Sequence, residues 1–189
     1  KEIAERWGLT ASSYVLYLGR IVPEKRPELL VEAFRGLDAD KRLVIAGDSS
    51  DTGDYMAALR KAGTEDPRVL FTGHVEGDVL TELYSNAYCY VLPSDVEGMP
   101  MSLLEAMSHG CACVTSDIPE CADVLAGCGV TFPRDDAAAL RDVLASLLAD
   151  PARVSALGDA ARERANTEYD WDRVVARTLE LYEQTKEVR

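Results

Sequence analysis

The chain has 189 residues, 47% of them hydrophobic, enough for one well-cored domain with helix to spare. Its formal net charge of −13 would repel a phosphate backbone, and no basic stripe interleaved with aromatics offsets it, which excludes a nucleic-acid binder. No apolar run approaches the ~18 residues of a membrane-spanning helix, and Lys1 to Arg6 lacks the apolar centre of a signal peptide, so a soluble, cytoplasmic protein is expected.

In chain order, the residues up to Gly8 read as the end of a helix, and short Val/Leu/Ile-rich runs then alternate with helical stretches. The strands are predicted at 14–18, 43–46, 69–71, 88–92, 111–115 and 130–132, each closing on a turn signal or a polar residue. Helices are predicted at 27–37, 54–62, 78–86, 102–109, 120–126 and 136–149, followed by one from Pro151 to about Asn166 and a last one at 171–186. Leu29, Leu30, Ala33, Phe34 and Leu37 share one helical face, as do Leu140, Val143, Leu144, Leu147 and Leu148. This alternation implies a parallel sheet covered by helices on both faces, a Rossmann-like three-layer α/β/α domain with six parallel strands and extra helices at the C-terminus. No repeat or low-complexity linker divides 1–189, so one domain is expected. The cysteines Cys89, Cys111, Cys113, Cys121 and Cys128 are odd in number and scattered, and Cys111-Ala112-Cys113 lacks the spacing of a zinc knuckle. They read as buried thiols, with no metal site.

In open sheets of this kind ligands bind beyond the carboxyl ends of the strands, which directs attention to the strand-to-helix loops. The first, from Gly19 to Pro27, puts Arg20 and Lys25 just before a helix start, where unpaired amides already favour an anion. A GxGxxG fingerprint is absent, which argues against the ordinary dinucleotide-binding version of the fold. The second loop runs from Leu92 to the helix beginning near Ser102. Pro100 disfavours helix at Met99, and Gly98 loosens the backbone, so Glu97 is expected in a turn and Glu105 on the helix. The amides of Gly98, Met99, Met101, Ser102 and Leu103, interrupted by Pro100, would face the crevice. Spacing alone leaves Glu105 two readings, a ligand contact or a capping box folded back on Ser102.

Taken together, Gly19-Arg20 followed by Lys25, Ile45-Ala46-Gly47-Asp48, Phe71-Thr72-Gly73-His74-Val75, Leu92-Pro93-Ser94 and Glu97-Gly98-Met99-Pro100 with Glu105-Ala106 resemble, in order, the C-terminal donor-binding domain of retaining GT-B glycosyltransferases of the glycosyl transferases group 1 family. The resemblance extends to the closing Tyr169-Asp170-Trp171-Asp172. It implies that Arg20 and Lys25 neutralise a donor diphosphate, that Glu97 contacts the transferred sugar, and that Glu105 hydrogen-bonds the ribose. Gly19 and the amides from Gly98 to Leu103 would hold sugar and phosphate, with His74 and Val75 lining the base. Residues 1–12 would be a linker from an acceptor-binding N-terminal domain outside this chain, and 168–189 a C-terminal helix returning toward it.

The function so implied is transfer of a sugar, of hexosyltransferase type, from a UDP-, GDP- or ADP-sugar, with retention, without a cofactor or metal, and with this half inactive alone. The setting implied is the cytoplasm, at the membrane face where the other domain takes it there. Alternatives of the same fold are a non-catalytic nucleotide-binding or assembly module, a nucleotide-sugar epimerase and a sugar phosphorylase. Three departures stand out: Arg26 occupies the place after the lysine where glycine is usual, Gly98-Met99-Pro100 is a shorter form of the common Gly-Phe-Gly-Leu-Pro, and Ser49, Ser50, Asp51 and Thr52 replace a glycine-rich continuation and have no assigned role.

Overall fold

A computed structural model describes residues 1–49 and 53–186; Ser50, Asp51, Thr52 and 187–189, the end of the expected C-terminal segment, lie outside the described residues. Helix α1 (Glu2–Trp7) leads into β1 (Tyr14–Leu18), a 3₁₀ turn (Pro23–Lys25) and α2 (Pro27–Arg35). There follow β2 (Arg42–Ala46), α3 (Gly53–Gly63), β3 (Val69–Gly73), α4 (Gly77–Asn86), β4 (Cys89–Leu92), α5 (Met101–Ser108), β5 (Cys113–Ser116), α6 (Pro119–Leu125) and β6 (Val130–Phe132). The chain continues through α7 (Ala137–Ala149), α8 (Pro151–Glu168) and α9 (Trp171–Lys186).

All strand pairings are parallel, and the strands lie in the order β3-β2-β1-β4-β5-β6. The expected six-stranded three-layer architecture is therefore present. Because the order reverses between β1 and β4, the loops leaving those two neighbours turn to opposite sides and open a crevice at the strands' carboxyl ends.

The four inner strands β2, β1, β4 and β5 are buried on both faces, as their largely apolar composition requires, while the outer strands β3 and β6 are only partly covered. In β1 the period of two sends Tyr14, Leu16 and Leu18 into one core and Val15 and Tyr17 into the other. The first core is completed by Leu83 of α4, Leu103 of α5 and Cys121 of α6, the second by Leu30 and Phe34 of α2, Leu59 of α3 and Leu140 and Leu144 of α7. Tyrosines in and beside the strands bring hydroxyls inside, and these are satisfied. Tyr14 donates to the Leu83 carbonyl at 2.6 Å, Tyr88 to that of Leu147 at 2.6 Å, and Tyr17 to that of Arg20 at 2.7 Å.

Where the boundaries differ from the sequence expectation, turn chemistry is the reason. Residues 109–111 are used in ending α5: Gly110 takes φ 75, its amide donates to Met107, and the Cys111 amide donates back to Ala106. The strand therefore starts at Cys113 and not at Cys111, although both thiols are buried as expected. Similarly α2 ends at Arg35, because the Leu37 amide turns back to Phe34, and α8 runs on to Glu168. No helix among the described residues is long and apolar enough to cross a membrane.

Candidate active site at the crevice between β1 and β4

The loop after β1 is held open from below. Tyr17 supports the Arg20 carbonyl, and burial, then the charge of Glu97, pushes its phenol pKa up, so it remains a donor. Gly19 sits against the end of β2 so closely that a Cβ on Gly47 would lie 1.9 Å from the Gly19 oxygen, and Gly47 has φ 134. Only glycine fits there. The two strand ends thus form the floor of a cleft of about 640 Å³, lined by Leu18, Gly19, Arg20, Asp48, His74 and Val75 among others. Arg20 is exposed, and among the described residues no carboxylate pairs with it. His74 is also exposed, while Val75 is buried beneath it.

Lys25 and Glu97 meet across the crevice. The Lys25 Nζ lies 2.6 Å from both Glu97 oxygens, and the Ser94 hydroxyl donates to Oε1 at 2.7 Å. The Glu97 side chain is 5% exposed and that of Lys25 16%, so this is a nearly buried pair, strengthened by its surroundings. Ser94 is itself fully buried, and its carbonyl accepts from Ser116 at the end of β5. The Asp95 amide donates to the Glu24 carbonyl at 2.9 Å, stitching the two loops together. Glu97 lies in the loop and α5 begins at Met101.

The amides ahead of α5 are partly engaged. Those of Met101 and Leu103 donate to the Met99 and Pro100 carbonyls, which leaves Gly98, Met99 and Ser102 as the loop's remaining main-chain donors. The continuous cradle expected from Gly98 to Leu103 is thus a shorter one, because Pro100 caps the helix through its carbonyl.

Glu105 does not form the capping box that its spacing allowed, since no side chain caps α5. Its Oε2 instead accepts from Tyr84 at 3.1 Å, while the Ser102 hydroxyl accepts from Tyr90 at 2.8 Å. Burial, then Glu105 itself, raises the Tyr84 phenol pKa and keeps it a donor. Glu105, Met99 and Met101 line a second cleft of about 460 Å³ toward Tyr169, Asp170 and Val174. Tyr90 links the two clefts, for its hydroxyl also lies 3.1 Å from the Leu18 carbonyl. The expected site residues therefore divide: Gly19, Arg20, His74 and Val75 face one cleft, Glu105 with Met99 and Met101 faces the other, and Lys25 and Glu97 pair at the crevice between the β1 and β4 loops.

Three features had no role assigned from the sequence. Ser94 and the phenols of Tyr84 and Tyr90 act through tertiary contacts that spacing does not reveal. Gly47, Asp48 and Ser49 line the first cleft, and the Gly47-Asp48 pair at a strand end was the available signal. Arg26 has φ 53 and ψ 38, a left-handed conformation that costs a non-glycine residue roughly 1–2 kcal/mol. Three carboxylates hold it there: Asp95 at 3.2 Å from Nη1, Asp135 on Nη2, and Glu28 at 2.9 Å from Nε, the last an ion pair outside hydrogen-bond geometry. Burial pulls the Arg26 pKa down, but Asp95, Glu28 and Asp135 outweigh it and leave it raised.

Comparison with known proteins agrees with this fold. The O-antigen chain mannosyltransferase B of Escherichia coli is 29% identical over 186 residues, covering 95% of this chain and 48% of that protein. The alpha-maltose-1-phosphate synthase of Mycobacterium tuberculosis is 33% identical over 180 residues, covering 88% of the chain and 46% of the relative. Among solved structures, a sucrose-phosphate synthase from Thermosynechococcus elongatus superposes with a TM-score of 0.85 at 27% identity, over 100% of this chain and 49% of that one. HepE of Anabaena, solved with UDP and glucose, superposes with a TM-score of 0.86 over 98% of this chain and 51% of that one; at 18% identity it shares the fold. The chain spans about half the length of these relatives. Residues 1–164 match the family described as Glycosyl transferases group 1, and with the fold and the relatives in agreement, this chain belongs to that family.

Proposed function

We propose that this chain is the donor-binding half of a retaining hexosyltransferase, acting in the cytoplasm on a nucleoside-diphosphate sugar and completed by an acceptor-binding domain. The observation that carries the reading is the 2.6 Å contact of Lys25 with Glu97 at the crevice, with Arg20 on the cleft beside it and the remaining amide donors of Gly98, Met99 and Ser102 on the loop that carries Glu97 and into the start of α5. A diphosphate entering that rim takes Arg20 and Lys25 as its counter-charges, the base lies toward His74 and Val75, and Glu105 receives the ribose hydroxyls.

When the bond from the anomeric carbon to phosphate breaks, both electrons leave on the phosphate and positive charge grows on carbon. Arg20, Lys25 and the amides of Gly98, Met99 and Ser102 stabilise the departing charge as preorganised donors, so neither metal nor cofactor enters this reading. The acceptor oxygen then bonds to the anomeric carbon and releases its proton, which the departing phosphate can take. Glu97 orients the sugar and supports the cationic carbon. A covalent role is disfavoured because both its oxygens are engaged by Lys25 and one also by Ser94.

Calorimetric titration with UDP, GDP and ADP and with the bare nucleosides tests the reading. Arg20→Ala and Lys25→Ala are each expected to weaken diphosphate binding roughly 10- to 100-fold, the worth of a charge-assisted hydrogen bond, while nucleoside binding holds. Equal losses for nucleoside and diphosphate would contradict it. Glu105→Ala is expected to weaken both.

A further inference from the structure

We propose that Arg26 is a positioning residue that keeps the diphosphate rim usable by drawing off its surplus carboxylates. This rests on the donor-binding reading above and names a residue which that reading does not use. Arg26 follows Lys25 directly and reaches Asp95 on the β4 loop and Asp135 on the loop between β6 and α7, with Glu28 at its own helix start. One planar guanidinium thus joins three of the loops that crown the sheet, a geometry that a lysine cannot reproduce.

The electrostatic consequence is specific. Asp95 stands two residues before Glu97, so an unneutralised Asp95 would add its field to that of Glu97 where two phosphates must come to rest. Without Arg26, Arg20 and Lys25 would have to face the unneutralised Asp95 and Asp135 as well as Glu97 and an incoming dianion. Arg26 itself has no backbone donor to offer, since its amide is bonded to the Pro23 carbonyl at 3.1 Å. Its service is therefore indirect, through charge and loop placement. The left-handed conformation at this position, natural to glycine, is kept by an arginine because the three carboxylates hold it.

The test is titration of this chain with UDP, GDP and ADP and with the bare nucleosides, at low and at moderate salt, for wild type, Arg26→Gly, Arg26→Lys and the triple variant Arg26→Gly/Asp95→Asn/Asp135→Asn. Glycine relieves the backbone conformation, so Arg26→Gly is expected to fold and yet to bind the diphosphate at least tenfold more weakly, with nucleoside affinity unchanged. Arg26→Lys, which keeps the charge without the fork, is expected to fall between, and covers the case in which the glycine variant does not fold. The triple variant is expected to recover most of the loss, and added salt to narrow the gap. Diphosphate affinity in Arg26→Gly equal to wild type, or no recovery in the triple variant, overturns the role of Arg26 while leaving the donor-binding reading intact. Failure of the wild-type chain to bind any of the three diphosphates overturns both.

Discussion

Asp66 and Arg68 show how one pair of residues can secure a corner of the fold away from the crevice. The Asp66 side chain is 8% exposed, and Arg68 donates to both its oxygens at 2.7–3.2 Å while also reaching the carbonyls of Leu37 and Ala39 beyond the end of α2. These hydrogen bonds hold the Asp66 carboxyl below the usual carboxylate range. A depressed folded-state pKa contributes stability that is complete above the unfolded value, about 4, and is lost as pH falls through the folded value. At pH 7, Asp66→Asn should therefore destabilise the chain by about 1–3 kcal/mol in denaturant unfolding, and the gap should close as the pH drops below about 4. A gap of the same size at low pH would show that the charge is irrelevant. At this scale the sequence was only partly legible. Arg20, Lys25, Glu97 and Glu105 stood out by order and spacing, but what each touches did not. The pairing of Lys25 with Glu97 and those of Arg26 with Asp95 and Asp135 join residues 72, 69 and 109 positions apart, and no local rule connects them; of the partners of Arg26 only Glu28 is near in sequence.

At the scale of elements, the strand and helix positions followed from apolar periodicity, because a parallel sheet buried on both faces and amphipathic covering helices have distinct periods. Their ends did not, since these are set by backbone bonds such as the return of the Cys111 amide to Ala106. The 3₁₀ turn at Pro23–Lys25 was likewise hidden, although it brings Lys25 toward Glu97. One contact between elements carries a clear prediction. Gly158 lies within α8, where glycine is about 1 kcal/mol worse than alanine on propensity alone. Yet a Cβ there would stand 2.3 Å from the Gly110 oxygen, so α8 packs on the turn before β5 only because the side chain is absent. Gly158→Ala should destabilise by roughly 1–3 kcal/mol or more despite its better propensity, read as a lowered thermal midpoint. A stabilised variant would mean that the approach of α8 is looser than described.

Across the whole molecule, the reversal of strand order between β1 and β4 is what turns scattered loop residues into one rim. The sequence pointed to the class of sheet, but not to the neighbour relations that place the Lys25 loop beside the Glu97 loop. The far end of the chain behaves differently. Val175, Leu179 and Tyr182 of α9 are 50%, 55% and 63% exposed, on one side of the helix at a spacing of four and three residues. As Val175 and Leu179 are exposed among the described residues, the double change Val175→Ser/Leu179→Ser should alter the chain's stability by no more than about 0.5 kcal/mol by chemical denaturation. A larger loss would reveal that this face is buried. In the reading proposed here it meets the acceptor-binding domain.

The central claim, that one rim gathers basic side chains and main-chain donors around a diphosphate, is tested most directly by a crystal structure of this chain soaked with UDP, GDP or ADP. Both phosphates are expected within hydrogen-bonding distance of Arg20 and Lys25, with Lys25 drawn away from at least one Glu97 oxygen and the base over Val75. A nucleotide seated elsewhere on the molecule, with the contact between Lys25 and Glu97 unchanged, would contradict it.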